Sequence, residues 1–210
     1  GDNGAFLKRY DMKIVIIDYG AGNVFSVQRA VERLGYEVLL SRDPMVVQSA
    51  DRVIFPGVGQ ASVAMKRLRD CGLDQVIPEL KVPVLGICLG MQLMGRYTEE
   101  GDTAGLNIFP LDVLQIRGMQ KIPHIGWNTI DELESGLFTG CQSEEWMYFV
   151  HSYYLKAEED IVTARTEYGV SIDASVEKGN LFACQFHPEK SSEAGLKILE
   201  NFVRLGREGN

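Results

Sequence analysis

Apolar and polar positions fall into blocks along the first hundred residues, and each block has the length of a strand or a helix. KIVIID (13–18) is a β-branched run without alternation, the pattern of a strand covered on both faces. A Gly-Ala-Gly-Asn turn (20–23) follows. Val24, Val27, Val31 and Leu34 then recur at helical spacing, and Gly35 closes the helix as a C-cap. YEVLL (36–40) reads as the next strand, and Asp43-Pro44 as the N-cap and first-turn proline of a short helix. RVIF (52–55) is a third strand, ending at Pro56 and a Gly57-Val58-Gly59 loop before a helix around 61–69. VPVLGI (82–87) is a fourth, and MQLMGRY (91–97) reads as helical. This βαβα order predicts an α/β fold, with a largely parallel sheet and helices on both faces.

The second half changes character. Segments near 111–116, 146–150, 161–166, 172–176 and 181–186 are short, β-rich and separated by turn residues, so several should be antiparallel additions to the sheet. SSEAGLKILENFVRLG closes the chain as an amphipathic helix, with Leu196, Leu199 and Phe202/Val203 inward. No repeat or linker interrupts the pattern, so residues 12–210 are expected to form one domain. Residues 1–11 carry no apolar period; Met12 is read as the native start, and the preceding segment as a cloning remnant or short tail.

The 210 residues suffice for one ample α/β domain. A net charge of −8, with acids crowded into 131–160, argues against a nucleic-acid partner; a solvated acidic face accounts for those acids. The four cysteines (71, 88, 141, 184) lack CxxC pairing or regular spacing, so neither a disulfide framework nor a metal site is expected. No cofactor is expected either. Without a secretory pattern or an apolar run near 18 residues, the expectation is a soluble, cytoplasmic chain, not membrane-bound, with reduced thiols.

Candidate chemistry gathers at two strand ends, where open α/β sheets bind ligands. Gly86-Ile87-Cys88-Leu89-Gly90 has the form of a nucleophile elbow, with Cys where many hydrolases carry Ser. Its glycines permit a sharp turn, the Leu89 N–H faces a developing oxyanion, and a helix N-terminus favours the thiolate. The same glycines also fit close helix–strand packing around a buried thiol. His187 follows the apolar strand LFACQF, and Pro188 keeps it extended. Alternate residues then point the same way, so Glu189 can reach the His187 ring and fix its tautomer.

Together, GICLGMQ (86–92) and His187-Pro188-Glu189 resemble the class I, triad-type glutamine amidotransferases, and PGVG (56–59) fits their oxyanion strand. The resemblance implies a flavodoxin-like sheet. It implies that Cys88 attacks the γ-amide carbon of glutamine, that His187 moves the proton, and that Glu189 orients His187. The Leu89 and Val58 N–H groups would meet the oxyanion; Gly57 and Gly59 would permit the loop's turn and border the substrate. Gln92, His151, Ser152 and Tyr153 match positions that hold glutamine, although Tyr153 also fits an ordinary sheet aromatic.

DYGAGN, PGVGQA, PHIGWN (123–128), YFVHSY (148–153) and QFHPEKS resemble one branch of this family. That branch passes ammonia to a (β/α)8-barrel cyclase subunit building imidazole glycerol phosphate and AICAR in histidine biosynthesis, as a heterodimer activated by its partner. By the same motifs, Gly20, Asn23, Pro123, Ile125, Trp127 and Tyr148 would face that partner, though Trp127 and Tyr148 also fit a core. Ile125 departs from the branch's usual Met. The alternative, a glutaminase serving anthranilate or pyridoxal phosphate synthesis, fits PHIGWN poorly.

Overall fold

A computed structural model describes residues 11–22, 24–157 and 159–206. The expected tail at 1–11 therefore lies outside the described residues except for Asp11. Strand β1 (Ile14–Ile17) leads into helix α1 (Val24–Arg33), β2 (Val38–Ser41), the short α2 (Pro44–Gln48) and β3 (Arg52–Phe55). Asp43 caps α2 as expected, its side chain accepting from the Met45 N–H at 2.9 Å. Helices α3 (Ala61–Asp70) and α4 (Leu73–Val76) precede β4 (Val84–Ile87), and α5 (Leu89–Leu93) follows it after a single residue, Cys88.

The expected helix over 91–97 is cut short. The chain turns at Met94 and Gly95, where a Cβ on Gly95 would lie 2.8 Å from the Leu111 carbonyl oxygen. Close approach of another backbone, rather than a loss of apolar pattern, ends the helix. Tyr97–Thr98 form β5 instead, followed by β6 (Thr103–Ala104) and β7 (Asp112–Gln115). PHIGWN lies largely in a strand, β8 (His124–Ile130), which the sequence pattern does not predict. It pairs with β9 (Glu145–His151), and β10 (Tyr153–Lys156) comes next. The chain closes through β11 (Val162–Glu167), β12 (Ser171–Lys178), β13 (Leu181–Cys184) and α6 (Ser192–Arg204).

The central sheet has the order β11-β12-β13-β4-β3-β1-β2. Strands β13, β4, β3, β1 and β2 run parallel, and β12 and β11 are added antiparallel. Strands β1, β3 and β4 are buried along their whole length, and the one charged residue among them, Arg52 of β3, donates to the Val203 and Leu205 carbonyls. One face packs Ile14, Ile16, Ile54 and Ile87 against α1 and α6, and the other packs Val15, Ile17, Val53 and Phe55 against α3 and α5.

The remaining strands form a four-stranded sheet, β10-β7-β5-β6, and the two-stranded ribbon β8–β9. Only β11 and β12 therefore extend the main sheet in the antiparallel sense. The topology places β4 and β13 side by side, so Cys88 and His187 leave neighbouring parallel strands at the same end.

Candidate active site

Cys88 joins β4 to α5 in a conformation few side chains adopt, φ 54° and ψ −112°. Its N–H donates to the Cys184 carbonyl of β13 at 2.8 Å, and its own carbonyl accepts from the Gln92 N–H at 3.2 Å. Gly90 makes the turn possible by proximity: a Cβ there would lie 1.9 Å from the Phe55 carbonyl oxygen. A Cβ on Gly86 would lie 2.6 Å from Met94 Sδ. These glycines therefore serve close helix–strand packing, and a sharp turn lies between them at Cys88.

His187 leaves β13 extended, at φ −102° and ψ 96°. Its Nδ1 lies 2.6 Å from Glu189 Oε1, and both side chains are buried. The carboxylate can only accept from the ring, so Nδ1 carries hydrogen and Nε2 is left for the thiol. Nε2 has no hydrogen-bond partner of ordinary geometry. Burial works against charging this imidazole, but the nearby Cys88 sulfur and the Glu189 carboxylate outweigh it and raise the pKa to about 10. Glu189 and the Cys88 sulfur thus favour the imidazolium form of His187.

The two N–H groups expected to meet an oxyanion are both engaged in backbone hydrogen bonds. The Leu89 N–H donates to the Gly57 carbonyl at 3.2 Å, and the Val58 N–H donates to the Ala21 carbonyl at 3.2 Å. A single peptide plane, Gly57–Val58, thus turns its oxygen toward the elbow and its N–H away. Tyr19 anchors the loop, its buried hydroxyl donating to the Pro56 carbonyl at 2.9 Å. Burial, reinforced by negative charge at Cys88, pushes the Tyr19 pKa far up, so the phenol stays a donor.

A polar chain lies beneath the elbow. Gln92 Nε2 donates to the Tyr153 carbonyl at 2.9 Å and to Gln185 Oε1 at 3.0 Å, and Gln185 Nε2 is 3.6 Å from Cys88 Sγ. His151 Nδ1 also reaches the Tyr153 carbonyl, at 2.8 Å, and so must carry hydrogen. Its Nε2 therefore accepts from His124 Nδ1 at 3.0 Å, leaving His124 Nε2 to accept from Asn128 Nδ2 at 3.2 Å. Burial lowers His124 to about 4. Burial, then the positive charges His124 and His187 would carry, lowers His151 to about 3 despite its bond to Tyr153. Both rings are neutral at pH 7.

Of the expected glutamine-holding residues, Gln92 on α5 and His151 at the end of β9 meet at the carbonyl of Tyr153 on β10, and Ser152 lies between the two strands. Gly57 is buried under the elbow, while Gly59 is exposed at the loop tip with φ 101°. Of the expected partner-facing residues, Ile125 and Trp127 stand exposed on the outer face of β8. Tyr148 is half-buried, edge-on to Trp127, and its carbonyl accepts the His187 N–H at 3.0 Å. Pro123 is half-buried and Gly20 exposed; Asn23 lies outside the described residues. Sequence reasoning passed over Tyr19, His124 and Gln185. Extending the 187/189 alternation back one step picks out Gln185; DYGAGN contains Tyr19 and PHIGWN contains His124, yet no periodicity singles them out.

No helix among the described residues is long and apolar enough to cross a membrane. The family model described as glutamine amidotransferase class-I matches residues 15–205. The chain is 49% identical over 197 residues to the imidazole glycerol phosphate synthase subunit HisH of Bacteroides fragilis, covering 92% of this chain and all of that one. It is 48% identical to the protein of the same name from Moorella thermoacetica, covering 92% and 95%. Among solved structures, one described as a glutamine amidotransferase superposes with a TM-score of 0.70 at 19% identity, over 90% and 98% of the two chains. PurLQS from Thermotoga maritima does so at 0.68 and 17%, over 92% and 98%. These last two speak for the fold, a mixed α/β architecture with a mostly parallel central sheet. The relatives speak for more: this chain belongs to the class-I glutamine amidotransferases, and within them to the family of imidazole glycerol phosphate synthase HisH subunits.

Proposed function

We propose that the chain hydrolyses glutamine through a Cys88 thioester and hands the ammonia to a cyclase subunit that builds imidazole glycerol phosphate and AICAR. The observation that carries this reading is the convergence of Cys88, in its left-handed turn, with the buried His187–Glu189 pair at 2.6 Å. The Cys88 thiolate attacks the γ-amide carbon, and its electron pair forms the C–S bond as the carbonyl becomes an oxyanion. His187 gives its Nε2 proton to the departing nitrogen, and the C–N bond breaks to release ammonia. The same ring then takes a proton from water, which attacks the thioester and frees glutamate and the thiolate. Glu189 holds the imidazolium throughout.

The Gly57–Val58 peptide gives the reaction a gate. Turning that plane would swing the Gly57 oxygen out of the elbow, free the Leu89 N–H and bring the Val58 N–H toward the oxyanion. Two hydrogen bonds oppose the turn, together about 1–3 kcal/mol. Each oxyanion donor gained is worth about 3–4 kcal/mol of barrier. A partner that favours the turned plane therefore switches hydrolysis on. Gln92, His151, Ser152 and Tyr153, with Gly57 and Gly59, line the place for glutamine.

Ammonia at neutral pH is mostly protonated and no longer nucleophilic, so a directly docked acceptor fits the chemistry. The exposed Ile125 and Trp127, with Tyr148, Pro123, Gly20 and Asn23, are proposed to meet the barrel subunit in a cytoplasmic heterodimer, which would carry the lyase step. The 49% identity to a HisH protein argues against the anthranilate and pyridoxal phosphate alternatives. The test is glutamine hydrolysis by the chain alone, with the cyclase subunit, and with that subunit plus its nucleotide ligand. Hydrolysis should rise at each step; equal hydrolysis in all three would reject the partner-gated reading.

A further inference from the structure

Gln185 is fully buried just past β13, and its side chain is in direct reach of the nucleophilic sulfur. The two ends of an amide look alike in outline, so their chemistry must be fixed by neighbours. Here one backbone oxygen fixes it. The Tyr153 carbonyl can only accept, so Gln92 must turn its NH2 group toward it, at 2.9 Å. The second hydrogen of that NH2 goes to Gln185, 3.0 Å away, which must therefore present its oxygen. The NH2 of Gln185 is then forced toward Cys88 Sγ, at 3.6 Å. The same carbonyl also accepts from His151 Nδ1, at 2.8 Å.

We propose that Gln185 is a further catalytic residue of this site, its amide N–H donating to the Cys88 sulfur and favouring the thiolate over the thiol. The inference deepens, and rests on, the glutaminase reading above. The Val150 carbonyl, 3.7 Å from the sulfur, can only accept and so favours the protonated thiol. Gln185 is the uncharged donor that offsets it. The titratable groups facing the sulfur are His187, Tyr19 and Cys184. Replacing Gln185 changes none of them.

The experiment reads the ultraviolet thiolate band of the full chain at pH 7, with the matching Cys88→Ala protein subtracted so that only Cys88 contributes. In Gln185→Met, which keeps the bulk and loses the N–H, the thiolate-to-thiol ratio should fall about tenfold. In Gln92→Met the Gln185 amide is no longer held in one direction, and a smaller fall, at least about twofold, is expected. The second variant carries the test if thermal melting shows the first unfolded. A ratio unchanged within error in the folded variants overturns the proposal. The reading needs no substrate or partner, so the two hypotheses fail separately. A lowered ratio with no glutamine hydrolysis under any partner would sink the glutaminase reading alone. An unchanged ratio with hydrolysis intact would sink only the role of Gln185.

Discussion

Replacing Val58 by proline removes one backbone N–H and tests the gate directly. Two opposing effects follow. The Val58 N–H to Ala21 carbonyl bond, 3.2 Å long, disappears. That makes turning the Gly57–Val58 plane easier by about 1 kcal/mol. The turned plane, however, no longer offers an oxyanion donor at residue 58, a loss of about 2.7–4 kcal/mol. The second effect wins. The net loss of roughly 2–3 kcal/mol predicts a fall of about 20- to 150-fold in kcat for glutamine hydrolysis by the partner complex. Val58→Ala keeps the N–H and trims a side chain that is 39% exposed, so it should stay within about threefold of the unsubstituted complex. Ammonia supplied directly should support the cyclase step equally well in all three proteins. A Val58→Pro complex within threefold of the original in glutamine hydrolysis would refute the assignment of this N–H to the oxyanion.

Gly90→Ala should cost at least about 3 kcal/mol of unfolding free energy, because its Cβ would meet a backbone oxygen at 1.9 Å. Gly136→Ala, whose Cβ would make an ordinary 3.6 Å contact with Leu205, should stay within about 0.5 kcal/mol; urea titration compares the two. Glu189→Gln removes the charge that holds the His187 imidazolium, so kcat in the complex should fall about tenfold or more with little change in KM; an unchanged kcat would reject that role. Stability should also depend on pH on both sides of about 6.5. His124 and His151, at about 4 and 3 when folded, stay neutral while the unfolded chain gains protons, so stability is lost as pH falls below about 6.5. His187, raised to about 10, contributes stability that is complete below about 6.5 and lost as pH rises toward 10. Urea midpoints across this range should peak near neutrality, and a flat profile would contradict the buried His–His pair.

The parallel core was legible because burial on both faces leaves a plain mark: β1, β3 and β4 carry apolar runs without alternation at 14–17, 53–55 and 84–87. The sharp turn at Cys88 was legible too, since glycines on both sides of a strand-end residue permit it, although the same glycines fit close packing around a buried thiol. Three things were not. Pairing partners in the second half depend on tertiary contacts, so β7, β10, β8 and β9 left the main sheet with no local signal. The helix after Cys88 was read too long because Met94 and Tyr97 continue the apolar pattern, while its true end comes from Leu111 crowding Gly95. The glycines locate the 57–59 loop but leave the direction of the Val58 N–H open, since that direction is set by the Ala21 carbonyl far away in sequence. Gln185 was hidden by its neighbours, since attention to His187 and Glu189 stopped one step short along the same face.

Every step of the proposed chemistry depends on the Cys88 sulfur opening glutamine. The decisive measurement is mass spectrometry of acid-quenched chain, mixed beforehand with glutamine, the nucleotide ligand and the cyclase subunit. A γ-glutamyl group should appear on the peptide carrying Cys88 and vanish in Cys88→Ala. Steady glutamine consumption by Cys88→Ala in the same complex would contradict a thioester at this residue.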